Sequence, residues 1–193
     1  FAPDASVTGT EAAKMALTAL GYNSEVFKFT GIDWEVNVNA AANAPSANLY
    51  DGLRNINPGE GLSRDNAAQM LYNALDANVV EISYNITSNG VETGYVISDK
   101  KTMMTERFGA VKVVGIVTGN EIATIGQATA EDKGETVIEL TNEDDVKTFG
   151  NASVTLKVST AASVLGRTVS AYVKSNAKAS GADVMGSVVL TND

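Results

Sequence analysis

Two segments of the chain carry the same helical pattern. Apolar side chains recur at Ala13, Ala16, Leu17 and Leu20, and again at Ala68, Leu71, Tyr72 and Leu75. This i, i+3, i+4, i+7 spacing marks one face of an amphipathic helix and predicts helices over 8–20 and 65–75. Thr8 is a natural N-cap, and Glu11 three residues later completes a capping box. Ser63 repeats the cap, with Asp65 favourable in the first turn and Asn66 at the third position. Gly21 supplies a stop for the first helix. Between the two, residues 34–44 fit helical spacing at Trp34, Val38 and Ala41, yet Glu35 to Asn39 also alternates as a strand would. Residues 48–61 read as loop, punctuated by Asp51-Gly52 and Pro58-Gly59.

Beyond Asp76 the period changes to two. Val80, Ile82, Tyr84 and Ile86 alternate with polar residues, and so do Val154, Leu156 and Val158, which predicts half-buried strands. Further strands are expected over 94–98, 111–118, 121–125, 136–140, 168–174 and 184–190, and short helices over 102–107 and 160–165. Turn signals such as Asn89-Gly90, Thr118-Gly119-Asn120 and Lys133-Gly134 separate them. The expected fold class is therefore α+β in two domains, a helical segment at 1–78 and an all-β domain at 79–193. Many short strands imply a small barrel or sandwich. An OB-type Greek-key barrel, with the helix near Thr160 plugging one end, is favoured over an immunoglobulin-like sandwich.

The two helical segments belong to one repeat. Residues 3–20 and 58–75 align without gaps at an offset of 55, with six identities in eighteen positions: Pro3/Pro58, Ala12/Ala67, Ala13/Ala68, Met15/Met70, Ala19/Ala74 and Leu20/Leu75. The second copy, Asn57-Pro58-Gly59-Glu60-Gly61-Leu62-Ser63-Arg64-Asp65-Asn66-Ala67-Ala68-Gln69-Met70, resembles the S-layer homology motif, roughly F-x-P-x-x-x-I-T-R-x-E-A-A-x-M. Phe1-Ala2-Pro3 followed by Val7-Thr8-Gly9-Thr10-Glu11-Ala12-Ala13-Lys14-Met15 is similar to the same motif one repeat earlier. Trp34 matches the family's Trp at the start of the intervening helix, which favours helix there, and Gly52 matches the glycine ahead of the F-x-P element. The resemblance covers about residues 1–78. The first motif departs from it at Gly9, where the family carries Arg, and the second at Ile56 and Asn66, where it carries Phe and Glu.

The resemblance implies a secreted protein of the bacterial cell surface, held non-covalently on a secondary cell-wall polymer that bears pyruvylated sugars. Arg64 stands at the position that implies contact with the acidic sugar, and a guanidinium takes a carboxylate bidentately. The alternative is a solvated Arg at the first helical position, where the helix dipole gives a cation nothing. Ser63 caps the same turn. Trp34 offers a ring for a sugar face or anchors the core, and Asp33 caps its helix or meets sugar hydroxyls. Family domains use three repeats and this chain holds one motif-to-motif interval, so neighbouring repeats or self-association are expected to complete the array. The β domain is expected to act as a spacer. The alternative reading is a structural building block of an extracellular assembly without sugar binding.

Composition narrows the rest. The formal net charge of −9 leaves no basic excess for a phosphate backbone, so nucleic acid is not an expected partner. Cysteine and histidine are both absent, which removes disulfides, the usual zinc sites, cysteine nucleophiles and the Ser-His-Asp triad. No phosphate-cradling glycine motif occurs and no paired carboxylates sit in a recognisable setting, so neither an enzyme nor a cofactor is expected. No stretch approaches the ~20 apolar residues of a membrane span. Asn142-Glu143-Asp144-Asp145 reads as a solvated turn before it reads as a calcium site. The chain opens on Phe1 without an initiator Met and is expected to be an internal piece of a longer protein.

Overall fold

The computed structural model describes residues 5–88 and 90–191. The expectations placed on Phe1, Ala2, Pro3 and Asn89 lie outside the described residues. The fold is α+β, in two compact units that divide between Phe108 and Gly109. The division falls thirty residues later than the expected 78/79 boundary, because the first strands leave the helical core without leaving the first unit.

In the first unit, α1 (Gly9–Ala19), α2 (Trp34–Asn43) and α3 (Arg64–Asp76) precede a two-stranded antiparallel ribbon of β1 (Asn78–Thr87) and β2 (Gly90–Thr102), then the short α4 (Met103–Phe108). The segment with ambiguous period is helical. Its Trp34, Val38, Ala41 and Ala42 join Leu17, Leu20, Phe29, Leu49 and Met70 in one core. The ribbon is rooted there: Val79 is buried, the Val80 N–H donates to the Leu20 carbonyl at 2.8 Å, and the Met103 N–H donates to Ala77 at 3.1 Å. Gly21 takes the left-handed conformation (φ +97°) that ends α1 just before this crossing.

The two repeat helices begin alike. Thr8 and Ser63 both lie in extended backbone, and each side-chain oxygen accepts the N–H of the third helical residue, Glu11 or Asn66, at 3.2 Å. Only α1 has the reciprocal bond, from the Thr8 N–H to Glu11 Oε2 at 2.8 Å. Beyond the caps they part. The face expected on α1 is the buried one, but α3 buries Asn66, Met70 and Ala74, while Leu71 and Tyr72 stay 66% and 43% exposed. Two polar side chains set that rotation. Asn66 donates to the Arg54 carbonyl and accepts its N–H, both at 3.0 Å, and Asn73 donates to the carbonyls of Leu49 and Asp51 at 3.0 and 2.7 Å. These bonds hold the Asn66–Asn73 side of α3 against the 49–54 loop. The face that α2 covers on α1 has no counterpart cover on α3, since α3 runs directly into β1.

In the second unit, β3 (Ala110–Asn120), β4 (Thr136–Leu140), β5 (Ser153–Lys157), β6 (Thr168–Lys174), β7 (Ala182–Asp183) and β8 (Val189–Leu190) form one mixed sheet in the order β7-β5-β4-β3-β6-β8. All pairings are antiparallel except β5 with β7. The closed barrel expected from the strand count is not formed, nor are two stacked sheets. The chain after β7 does come back beside β6, through a Val173–Val184 bridge and a 2.8 Å bond from the Met185 N–H to the Tyr172 carbonyl, but no continuous ladder closes the sheet. Val113, Val117, Ile138, Val154, Leu156, Val169 and Val173 make its core, with Val164 and Leu165 beside the 3₁₀ turn (Ala162–Val164) packed on it. Two expectations fail locally. Residues 121–125 do not form the separate strand expected after a turn at 118–120: β3 runs on to Asn120 and the chain turns back beyond it, because the buried Asn120 Oδ1 accepts the N–H groups of Ile122 and Ala123 at 3.0 and 3.1 Å. Asn142 caps a helix, α5 (Glu143–Phe149), in place of the expected turn.

Candidate functional site

The residues singled out in the sequence all lie in the first unit, at two helix starts. Ser63 is spent on capping α3, and Arg64 follows it as the first helical residue. The Arg64 side chain is exposed and has no hydrogen-bond or ion-pair partner among the described residues. A cation at this end of a helix is electrostatically unfavourable, so local structure gives no reason for the guanidinium.

Its equivalent one repeat earlier is Gly9, and the contrast is steric. Gly9 is buried, and a Cβ there would lie 3.1 Å from Pro58 Cα and 3.3 Å from Ile56 Cδ1. The backbone is fixed from the same side, since the Gly9 N–H donates to Glu60 O at 3.1 Å and the Thr10 N–H to Pro58 O at 2.8 Å. A long side chain at residue 9 has nowhere to go without displacing the 56–60 loop. Packing against the 56–60 loop thus sets Gly9 apart from Arg64, which stands 55 residues later in the aligned segment.

Trp34 opens α2 half-buried, and Lys14 on α1 places its ammonium 4.7 Å from the ring centroid. That distance is within cation–π range. Lys14 and Trp34, with Ser6, Val7 and Glu11, line a cavity of about 590 Å³. Arg64 and Ser63 do not line it, so the structure brings Trp34 to Lys14 and not to the guanidinium. Asp33 holds the N-cap position of α2, but its exposed side chain makes no capping bond, contrary to that expectation.

Next to this cavity, and sharing Ser6, Val7 and Met15 with it, an apolar groove of about 590 Å³ runs between α1 and α3. Met15, Ala16, Leu62, Met70 and Leu71 line it. Its α3 wall includes part of the uncovered face described above.

Sequence reasoning missed Lys14. Its partner Trp34 lies twenty residues away across an irregular loop, and no periodicity links the two. It also missed a polar cluster that joins the helices to the loops: Tyr50 Oη donates to Asn39 Oδ1 at 2.6 Å, and the Thr10 hydroxyl lies 3.1 Å from both Asn39 Oδ1 and Pro58 O. Burial pushes the Tyr50 phenol up to about 12, opposed by the Thr10 hydroxyl. The acidic run Glu143-Asp144-Asp145 forms the first turn of α5, where carboxylates suit the dipole, and Lys147 reaches Asp144 at 3.1 Å. Among the described residues no group of three acidic side chains gathers as a metal site, and no helix is long and apolar enough to cross a membrane. Comparison with family models, with curated proteins and with solved structures finds no match to this chain.

Proposed function

We propose that the first unit anchors a secreted bacterial surface protein, non-covalently, to an acidic cell-wall polysaccharide, with Arg64 as the principal contact. The reading rests on the resemblance to S-layer homology repeats. The observation that carries it furthest is the Arg64/Gly9 pair. Two helices begin at equivalent positions with the same cap, and the one whose first residue is free to project into water is the one that carries a guanidinium without a partner among the described residues. A carboxylate on a sugar would supply that partner bidentately.

The cavity beside Trp34 supplies a second contact of matching chemistry, an aromatic face for a pyranose with an ammonium beside it. The α1–α3 groove fits the expectation of a further repeat, since an apolar wall of this kind is covered in a stacked array. No catalytic role is proposed for the chain.

The test is co-sedimentation of the whole chain with purified bacterial wall sacculi, before and after chemical removal of the wall's acidic polymer. Retention that disappears with the polymer is the expected result. Retention that is independent of it, or no retention at all, overturns the reading.

One observation favours the structural alternative. On the β1–β2 ribbon the register sets Ile82 against Tyr95, Tyr84 against Thr93 and Ile86 against Val91, so one face is apolar, and Ile82, Tyr84, Ile86 and Val91 are all exposed. A two-stranded ribbon of this kind is marginal on its own. An assembly that covers the ribbon accounts for this face without any sugar.

A further inference from the structure

The second unit carries an unusual concentration of positive charge for so acidic a chain. Three lysines, Lys157, Lys174 and Lys178, line one cavity of about 490 Å³, with Asn176, Ser180 and Asp183 among its other walls. They are three of only 14 basic residues in a protein of net charge −9. Among the described residues Lys174 and Lys178 have no ion-pair partner, and the one carboxylate present, Asp183, stands 3.7 Å from Lys157. Ammonium groups gathered around a concavity with a single carboxylate among them make a local positive potential that favours an anion.

Strand ends and a tight turn frame the cavity. Lys157 ends β5 opposite Asp183 of β7, and Lys174 ends β6 opposite Ala110 of β3. Lys178 opens a turn closed by the Lys178–Gly181 bridge and tied to β5 by the Thr155 N–H, which donates to Ala179 O at 2.8 Å. Lys157 lies across Gly181 so closely that a Cβ there would be 3.0 Å from its Cε and 3.7 Å from its Nζ. The glycine leaves room for the ammonium to lie along the cavity wall, and any side chain at 181 displaces it.

We propose that this cavity binds an oxyanion carried on a saccharide, a carboxylate or a phosphate, so that the second unit is itself a ligand-binding module and more than a spacer. The volume lies within the range of small-molecule sites. The lysines provide charge as compact ammonium groups that accept a carboxylate or a phosphate alike, and Asn176 and Ser180 can meet sugar hydroxyls. The negative net charge argues against a nucleic-acid backbone as the source. The inference does not depend on Arg64.

Calorimetric titration of the full chain with tetragalacturonate, with mannose 6-phosphate and with neutral maltotetraose tests it. At least one acidic saccharide is expected to bind while maltotetraose does not, and the arm that responds identifies the oxyanion. Lys174→Gln with Lys178→Gln should weaken that binding tenfold or more, with the circular dichroism spectrum unchanged because both side chains are exposed. Lys174→Arg with Lys178→Arg should retain it, and every titration is run in the Arg64→Ala background, so that a saccharide held at Arg64 does not contribute to the signal assigned to this cavity. Equal binding of acidic and neutral saccharides, no binding of either acid, or full binding by the glutamine variant overturns the proposal.

Discussion

The Lys14 ammonium, midway along α1, lies 4.7 Å from the centre of the Trp34 ring at the start of α2. The only tryptophan of the chain thus packs on the core with one part of its ring and meets a cation on the rim of a cavity with another. Lys14→Met keeps the stem and removes the charge. It is expected to cost less than ~1 kcal/mol of stability, as exposed cation–π contacts do, while altering the tryptophan fluorescence and weakening retention on wall material. Unchanged fluorescence would place the ammonium elsewhere in solution.

The two repeat helices turn different faces inward, and their energetics should differ accordingly. Leu17 is fully buried, and its equivalent Tyr72 is 43% exposed. Leu17→Ala is expected to destabilise by about 2–5 kcal/mol, and Tyr72→Ala by about 0.5 kcal/mol or less, as an exposed substitution. Chemical denaturation of the two variants decides the matter. Equal losses would mean that α3 is buried through its Leu71–Tyr72 face.

This asymmetry also shows what was legible in the sequence. Caps and periods are local, so the starts of α1 and α3, the strands β4 and β6, and the α+β class could all be read directly. The buried face of α3 depends on Asn66 and Asn73 reaching backbone twelve and more than twenty residues away, and a pattern of apolar letters carries no such information. The turn at 121–125 was hidden for the same reason: its apolar letters read as strand, while a buried Asn120 side chain takes the N–H groups. Sheet closure depends on strand order, which one sequence does not contain. At the candidate site, the resemblance singled out Arg64 and Trp34, but nothing in the sequence pointed to the pairing of Trp34 with Lys14.

Asn66 satisfies both backbone groups of Arg54, and this explains an Asn where the motif has Glu: a carboxylate accepts but cannot donate to the Arg54 carbonyl. Asn66→Ala takes the partner from the Arg54 N–H and carbonyl and releases the Arg54 end of the 49–54 loop from α3. A loss of about 1–3 kcal/mol is expected. Asn66→Asp should recover only part of it, and full recovery would show that the Arg54 carbonyl needs no donor.

Tyr50 gives the fold a pH dependence at the alkaline end. Its folded pKa, pushed up to about 12 by burial, exceeds the ordinary value of 10.0, so the folded state holds the proton longer than the unfolded chain. The corresponding stability is fully present below pH ~10 and is lost as pH rises towards 12. Tyr50→Phe should flatten that part of the stability–pH curve, and spectrophotometric titration should show one phenol fewer ionising late. An identical curve for both proteins would mean that Tyr50 ionises as a free phenol.

The central claim is that Arg64 holds the acidic polymer. Long-range attraction cannot help, because a carboxylate-bearing polymer meets a protein of net charge −9. The affinity must come from local pairing, and a charged hydrogen bond of this kind contributes roughly 1.5–3 kcal/mol. The most direct measurement is equilibrium binding of the Arg64→Ala chain to purified sacculi, beside the wild type and a Lys28→Ala control that removes a positive charge elsewhere in the first unit. Binding is expected to weaken by about 10- to 150-fold in Arg64→Ala with its fold intact, and to stay within a few-fold of the wild type in Lys28→Ala. A folded Arg64→Ala protein that binds the wall as tightly as the wild type contradicts it.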